Sequence, residues 1–151
     1  MSDITLLPAV TAFLAREHGV FIHGQHLASQ SSSNIAVVNP ANGQTIAHIA
    51  DANQAEVDHA VSSSRQGFTA WSHTSPAARA AVLFKLADLL EANREELAQL
   101  ETLQSGKLIG ISRAFEVEQA AHFLRYYAGW ATKITGQTIT PSLPSFAGER
   151  Y

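Results

Sequence analysis

Histidine is the residue type with the clearest potential for metal chemistry in this chain, which has seven histidines and no cysteine among 151 residues. A transition-metal site needs ligands that converge in a defined geometry. His23 and His26 are three residues apart, but their segment predicts a strand or turn, and no third ligand has a helpful spacing. The other histidines considered lie in separate segments: His59, His73 and His122. The pattern therefore favours ordinary surface or partly buried imidazoles over a metal centre.

A group of acidic residues suggests a second kind of chemistry, general acid–base catalysis by paired carboxylates. The group consists of Glu91, Glu95 and Glu96. A solvated helix junction is the simpler interpretation, because acidic side chains in the first turn of a helix are favoured by its dipole. We therefore assign no catalytic role to these carboxylates.

Two further motifs suggest phosphate or nucleic-acid binding. Ser105-Gly106-Lys107 looks like part of a phosphate loop, but the first glycine of a Walker A motif is missing, so a helix terminator is favoured. Arg125-Tyr126-Tyr127 with Trp130 combines a basic and several aromatic side chains, yet one arginine gives little support for nucleic-acid binding. Packing on an amphipathic helix is the simpler interpretation. The residues alone predict no recognisable active site.

The composition excludes several classes of protein. A hydrophobic share of 46% with 15% charged residues is typical of a folded, soluble chain. Ten Lys and Arg against thirteen Asp and Glu give a formal net charge of -3, which argues against binding nucleic acid or an anionic membrane. No apolar run approaches a membrane span, and the first twenty residues do not resemble a signal peptide. The cytoplasm is the expected location.

The elements that must position any site begin with a short helix and two strand pairs. The apolar spacing over residues 4–18 predicts a helix that stops at Gly19. Residues 20–27 predict a strand pair or a bent strand around Gly24, and residues 35–50 predict a hairpin that turns at Asn42-Gly43.

After Asp51 the apolar spacing changes from two to about 3.6 residues, which predicts four helices. Asp51 or Asn53 caps the first, Ser75-Pro76 opens the second, and Asn93 caps a third that ends at Gly106. The fourth and longest is expected from about residue 111 to 135, with Gly136 as its stop. The predicted inward residues are Val57, Val61, Ser64, Phe68 and Trp71 in the first helix, Val82, Leu83, Leu86, Leu89 and Leu90 in the second, Leu97, Leu100 and Leu103 in the third, and Val117, Ala120, Ala121, Leu124, Tyr127, Ala128, Ala131 and Ile134 in the fourth. The tail from Gln137 predicts an extended segment with no strand to pair with.

Several of these segments also carry motifs of a known family. Val38 to Gly43 reads V-N-P-A-x-G, Glu101 to Lys107 reads E-T-L-x-x-G-K, and Arg125 to Ala131 reads R-Y-Y-A-G-W-A. In this order and spacing the chain resembles the N-terminal part of the aldehyde dehydrogenase superfamily, over residues 21–151. The runs at residues 98–103 and 111–117 look most like bacterial phenylacetaldehyde dehydrogenases.

The resemblance implies an α/β fold, the N-terminal segment of the aldehyde dehydrogenase fold. It consists of a β-hairpin and helices that cover a Rossmann-type sheet not encoded here. Residues 1–136 would be the N-terminal part of the NAD(P)-binding domain, and residues 137–151 the start of the oligomerisation β-arm, through which a homo-oligomer is implied. The catalytic domain is expected to be absent from the chain.

The implied reaction is the NAD(P)-dependent oxidation of an aldehyde, phenylacetaldehyde or another aryl aldehyde, to the carboxylic acid. In the family a cysteine thiolate attacks the aldehyde, hydride passes to the nicotinamide of NAD or NADP, and a glutamate activates water. Neither the catalytic residues nor the phosphate-contacting glycines match positions of this chain. We therefore expect the chain alone to be inactive and to bind neither NAD nor NADP tightly.

Four positions match family site residues. Phe115 and Gln119 correspond to residues of the substrate tunnel, although core packing would explain Phe115 equally well. Val37 and Gln104 correspond to positions whose backbone carbonyls bind a monovalent cation in some members. The alternative function is a non-catalytic helical interaction protein, or a decoy subunit, that pairs with a full-length dehydrogenase through residues 137–151.

Overall fold

The computed structural model describes residues 5–139 and 148–150, which form a mixed α/β structure. The first half contains helix α1 (Pro8–Ala15) and strands β1 (Val20–Ile22), β2 (Gln25–Leu27), β3 (Asn34–Val38) and β4 (Thr45–Ala50). Next come helices α2 (Gln54–Ser72), α3 (Pro76–Ala92), α4 (Arg94–Ser105) and α5 (Ile109–Ile111), a π-helical turn (Ser112–Glu116), helix α6 (Val117–Trp130), and strands β5 (Gln137–Ile139) and β6 (Gly148–Arg150).

Two antiparallel hairpins are confirmed where local turn chemistry predicts them. Strands β1 and β2 are joined through His23 at φ 54° and Gly24 at φ 74°, the positive-φ pair that a tight two-residue turn requires. Strands β3 and β4 are joined by a turn in which Gly43 has φ 72°. The register of this second pair shifts between Val37 and Val38, where the bulge ends the regular ladder.

The starts of the helices after residue 51 follow the capping signals, with one of two candidates selected for α2 and one correction at α4. Asn53, not Asp51, caps α2: its side chain accepts from the Glu56 backbone N–H at 3.0 Å, and Glu56 accepts from the Asn53 N–H at 2.8 Å. Ser75 caps α3 as predicted. Asn93 is wrong as a side-chain cap of α4, because its amide instead donates to the Leu89 carbonyl at the end of α3.

The predicted long helix over residues 111–135 is wrong as a continuous α-helix. The π-helical turn interrupts it, and the Val117 N–H bonds the Ser112 carbonyl five residues back. Helix α6 then ends at Trp130, so Gly136 is not its stop. The first predicted helix is also shorter, spanning Pro8–Ala15 within the described residues.

Small residues form most of the helix–helix core. Helix α3 packs along α6, and the buried apolar residues of these two helices are Ala80, Ala87, Val117, Ala121 and Ala128. The large residues predicted to face inward are largely exposed, namely Val57, Val61, Phe68 and Trp71 in α2, Val82, Leu86 and Leu89 in α3, and Tyr127 and Ile134 in the fourth helical region. These faces are correctly predicted as apolar, but nothing among the described residues covers them.

The tail differs from the expectation that it has no partner strand. Strand β5 pairs antiparallel with β6, with Gln137 opposite Arg150 and Ile139 opposite Gly148. Residues 140–147 and 151 of the predicted arm lie outside the described residues, so the domain division at residues 136 and 137 stays a prediction. Among the residues that the structure describes, no helix is long and apolar enough to cross a membrane.

Candidate functional site

The two predicted tunnel residues lie where the π-helical turn meets α6. Phe115 is in the turn with 58% of its surface exposed, and Gln119 is partly buried in the first turn of α6. Phe115 therefore does not pack in a core formed by the described residues, and its tunnel role stays a prediction. Its ring is available to an apolar group from outside these residues.

The π-helical turn is what directs Phe115 away from the core. In an α-helix, Phe115 would lie only about 60° around the axis from Ser112, and Val117 about 140° from it. In the structure Ser112 and Val117 are instead both buried, at 0% and 7% exposure. Widening the turn brings these two residues onto one face, and Phe115 is carried outward.

Side chains of α4 hold this turn. The Thr102 hydroxyl donates to the hydroxyl of the buried Ser112 at 3.0 Å. The guanidinium of Arg113 donates to both carboxylate oxygens of Glu95, at 2.6 and 2.8 Å. Sequence spacing offered no signal for either contact, because the paired residues are 10 and 18 positions apart.

A third contact reaches the end of the turn. Lys107, just after α4, lies between two carboxylates, with its Nζ 2.9 Å from Glu101 and 3.0 Å from Glu116. The hydrogen bonds that the Lys107 ammonium donates to these carboxylates raise its pKa. Lys107 is therefore held in a local ion-pair network. Gly106, the predicted helix terminator, ends α4 at φ 76°.

The surroundings of Glu95 favour its ion pair with Arg113 and disfavour proton transfer near neutral pH. The hydrogen bond from Arg113, followed by one from Gln99, lowers the pKa of Glu95 to about 2. The same contact raises the pKa of Arg113. A carboxyl group with so low a pKa stays ionised in the neutral range, which disfavours the acid–base role considered for it.

Acid titration is expected to show how much Glu95 contributes to the stability of the folded chain. Because its folded-state pKa is depressed, the stabilisation is present above the unfolded pKa of about 4.3 and is lost as pH falls from there toward 2. Glu95→Gln should therefore lower the stability measured by urea unfolding at pH 6 but have little effect near pH 2. Glu96→Gln, at the neighbouring position, is the matched control. Equal pH profiles for Glu95→Gln and the parent chain would contradict this assignment.

Val37 and Gln104, the predicted cation positions, line one cavity. The cavity has a volume of about 270 Å³ and lies between α1, the β3–β4 hairpin and α4. The rest of its lining is mainly apolar and comprises Phe13, Leu14, His18, Ile46, Ala47, Ile49 and Leu100. The fold thus brings both positions to one cavity, and cation binding there stays a prediction.

The other candidate residues have structural surroundings. Arg125 forms an ion pair with Glu91 and bonds Asp88 at 2.8 Å, which links α6 to α3 and lowers the pKa of Glu91. The prediction that Tyr127 and Trp130 pack inward is wrong for the described residues, because both side chains are exposed, as is Tyr126.

The histidines remain dispersed in the structure. His23 contacts the Ser63 hydroxyl at 3.2 Å, and the His26 ring lies 4.8 Å from the ring of Phe21. In the described ranges, no three His, Asp or Glu side chains come together as metal ligands.

The residues described here do not form a dinucleotide site. The three sheets of the described ranges are each two-stranded and antiparallel. Dinucleotides bind at the carboxyl ends of parallel strands, where a glycine-rich turn leads into a helix. The geometry of these residues does not fit NAD or NADP, and we derive no catalytic step through either.

Sequence and structural similarity identify the family. The family model described as "Aldehyde dehydrogenase family" matches residues 26–149, and the chain belongs to that family. It is 45% identical to the phenylacetaldehyde dehydrogenase of Pseudomonas fluorescens over 140 residues, which cover 91% of this chain and 28% of the relative.

Solved structures agree with the sequence match. The NAD+ complex of an aldehyde dehydrogenase from Bacillus cereus superposes with a TM-score of 0.88 at 39% identity, over 93% of this chain and 29% of that chain. An indole-3-acetaldehyde dehydrogenase from P. syringae, solved with NAD+ and IAA, matches with a TM-score of 0.76 at 33% identity, over 81% of this chain and 25% of that chain. The chain therefore spans between a quarter and a third of its relatives' length. The fold is the N-terminal part of the aldehyde dehydrogenase fold, as predicted.

Proposed function

We propose that the chain supplies the N-terminal part of an NAD(P)-dependent aldehyde dehydrogenase. The whole enzyme oxidises phenylacetaldehyde or another aryl aldehyde to the carboxylic acid, in the cytoplasm, as a homo-oligomer assembled through residues 137–151. The observation that carries the proposal is the 45% identity to a phenylacetaldehyde dehydrogenase across 91% of the chain. The exposed ring of Phe115 supports the aryl preference, because aromatic side chains bury large apolar surfaces.

In this proposal the chain shapes the substrate site and does not perform the chemistry. Phe115 contributes an apolar wall for the aryl group, and Gln119 lies one helical turn away. The nucleophile and the cofactor-binding residues belong to the remainder of the enzyme. The chain by itself is proposed to be inactive.

A chimera tests the substrate role. This chain replaces the matching 28% of the Pseudomonas fluorescens phenylacetaldehyde dehydrogenase. The chimera should oxidise phenylacetaldehyde with NAD+, and Phe115→Ala should lower its kcat/KM for phenylacetaldehyde by roughly tenfold or more, as expected for an apolar contact in a hydrophobic pocket. The kcat/KM for acetaldehyde should change far less, since acetaldehyde has no aryl group that Phe115 could contact.

Phe123→Ala is the matched control in the chimera. Phe123 lies on α6 and is 55% exposed, close to the exposure of Phe115. If both alanine variants have the same phenylacetaldehyde kinetics as the unmodified chimera, Phe115 does not face the substrate. If the chimera folds but does not turn over any aldehyde, the proposed function fails.

The exposed apolar faces favour a second candidate, a non-catalytic interaction partner or decoy subunit. The described residues leave large side chains uncovered on α2, α3 and α6, and faces of this kind mark interaction surfaces. A tagged copy of the chain should then co-purify with the full-length Pseudomonas fluorescens enzyme at micromolar concentration. Failure to associate would exclude this candidate for that partner.

A further inference from the structure

The π-helical turn that carries Phe115 is fastened to α4 at three of its five residues. Ser112, Arg113 and Glu116 each make a side-chain contact with α4 or with the lysine that follows it. The turn also begins with a backbone bond, in which the Ser112 N–H donates to the Leu108 carbonyl at 3.1 Å. Single π turns inside α-helices are rare and occur frequently at functional sites.

The contact between Arg113 and Glu95 is the most directional of the three. Arg113 uses Nε and Nη2 to reach both oxygens of the carboxylate, a bidentate geometry that fixes orientation as well as distance. The Gln99 amide donates to the same carboxylate at 3.0 Å and is itself only 3% exposed. The buried Gln99 side chain therefore orients the Glu95 carboxylate for its contact with Arg113.

The same amide connects the turn to the start of the described chain. The Leu7 N–H donates to the Gln99 side-chain oxygen at 2.9 Å. Hydrogen bonds thus run from Leu7 through Gln99 and Glu95 to Arg113, across elements that are distant in sequence. Such a connected network resists rearrangement more than an isolated surface pair, which contributes little by itself.

The alternative conformation of residues 112–116 is a regular α-helix, which would change the direction of the Phe115 side chain. If residues 112–116 returned to α geometry, Phe115 would rotate toward the face of Ser112, about 60° from it. Its ring would then approach the buried side of the helix and leave the outward position. The orientation of Phe115 therefore depends on what holds the π turn.

We propose that Glu95 and Arg113 are positioning residues that set the specificity for aryl aldehydes by holding Ser112–Glu116 in the π form and Phe115 outward. The inference rests on the proposed function for the identity of the substrate. It assigns no role in the chemical step to either residue, since both act through Phe115.

The structural half of the inference is tested on the full 151-residue chain by amide hydrogen exchange. Without the Glu95–Arg113 contact, residues 112–116 alternate between the π and α forms, and the Val117 N–H is unpaired each time it leaves the Ser112 carbonyl. Arg113→Gln and Glu95→Gln should therefore each accelerate exchange of the Val117 N–H by roughly threefold or more. The charge-swapped double variant Glu95→Arg with Arg113→Glu should restore part of the protection, because the ion pair re-forms without the hydrogen bond from Gln99. Arg125→Gln is the matched control, because it breaks an arginine–carboxylate contact between α3 and α6 outside the turn. Unchanged exchange at Val117 in Arg113→Gln, or equal acceleration in the control, would overturn the inference.

The functional half uses the chimera described above. Arg113→Gln should raise KM for phenylacetaldehyde several-fold, keep kcat within about twofold, and leave KM for acetaldehyde unchanged, with rescue in the charge-swapped variant. If Phe115→Ala changes the phenylacetaldehyde KM and Arg113→Gln does not, the positioning inference fails and the proposed function stands. If neither variant changes it, the assignment of Phe115 to the substrate fails, and the inference fails with it.

Discussion

The purified 151-residue chain is expected to produce no aldehyde-dependent NADH above the blank, with phenylacetaldehyde or with acetaldehyde. Aldehyde oxidation in the family proceeds by attack of a cysteine thiolate, and this chain has no cysteine. The described residues also lack the parallel-strand geometry of a dinucleotide site. The loss relative to an intact relative should reach at least about 10⁶-fold, the lower end of enzymatic rate enhancement.

The measurement is NADH formation by absorbance, with two controls in the same assay. Activity of the Pseudomonas fluorescens phenylacetaldehyde dehydrogenase shows that the substrates and NAD+ support turnover in this assay. The chimera that carries this chain reports whether the same residues support activity in an enzyme that supplies the thiolate. Turnover by the isolated chain would disprove the proposal that its role is confined to shaping the site.

Ala121→Leu is expected to destabilise the α3–α6 pair strongly. Ala121 is 0% exposed, and the facing helix α3 also buries small residues, Ala80 and Ala87. Three additional heavy atoms have no room in such an interface, and overpacking of this kind typically costs about 1–3 kcal/mol. Urea unfolding followed by the helical circular dichroism signal should show a lower midpoint.

Ala120→Leu is the matched control for this effect. Ala120 precedes Ala121 on the same helix but is exposed, so its substitution should change stability by no more than about 0.5 kcal/mol. Both variants add the same side chain and alter helix propensity equally. Similar shifts in the two variants would mean that α3 and α6 do not pack through their alanines.

Local signals were sufficient to predict much of the fold. The Asn42-Gly43 turn, the Asn53–Glu56 capping box and the stop at Gly106 depend on residues within a few positions of one another. Their conformations follow from positive φ angles and from unsatisfied helix N–H groups, which short segments reveal. The order of family motifs likewise identified the aldehyde dehydrogenase family, which the family model confirms over residues 26–149.

Burial could be predicted only from the family resemblance, which implies helices that cover a sheet absent from the described residues, so that their apolar faces stay exposed. Periodicity identified the apolar faces of α2 and α3 but not which face this chain covers. In the structure Ala80 and Ala87 of α3 and Ala121 and Ala128 of α6 are buried, whereas Val82, Leu86 and Leu89 are exposed. A sequence pattern shows that a face is apolar, whereas its burial depends on the presence of another element to pack against it.

The sequence by itself determined the β3–β4 hairpin, the starts of α2 and α3, and the family, and it supplied four positions matched to family sites whose roles stay predictions. Only the tertiary structure decided the π-helical turn, the outward direction of Phe115 and the Glu95–Arg113 pair. The physical reason is distance along the chain, because Arg113 and Glu95 are 18 positions apart and Leu7 and Gln99 are 92 apart. Such contacts form only after the helices have packed, and they select a turn geometry that local preferences disfavour.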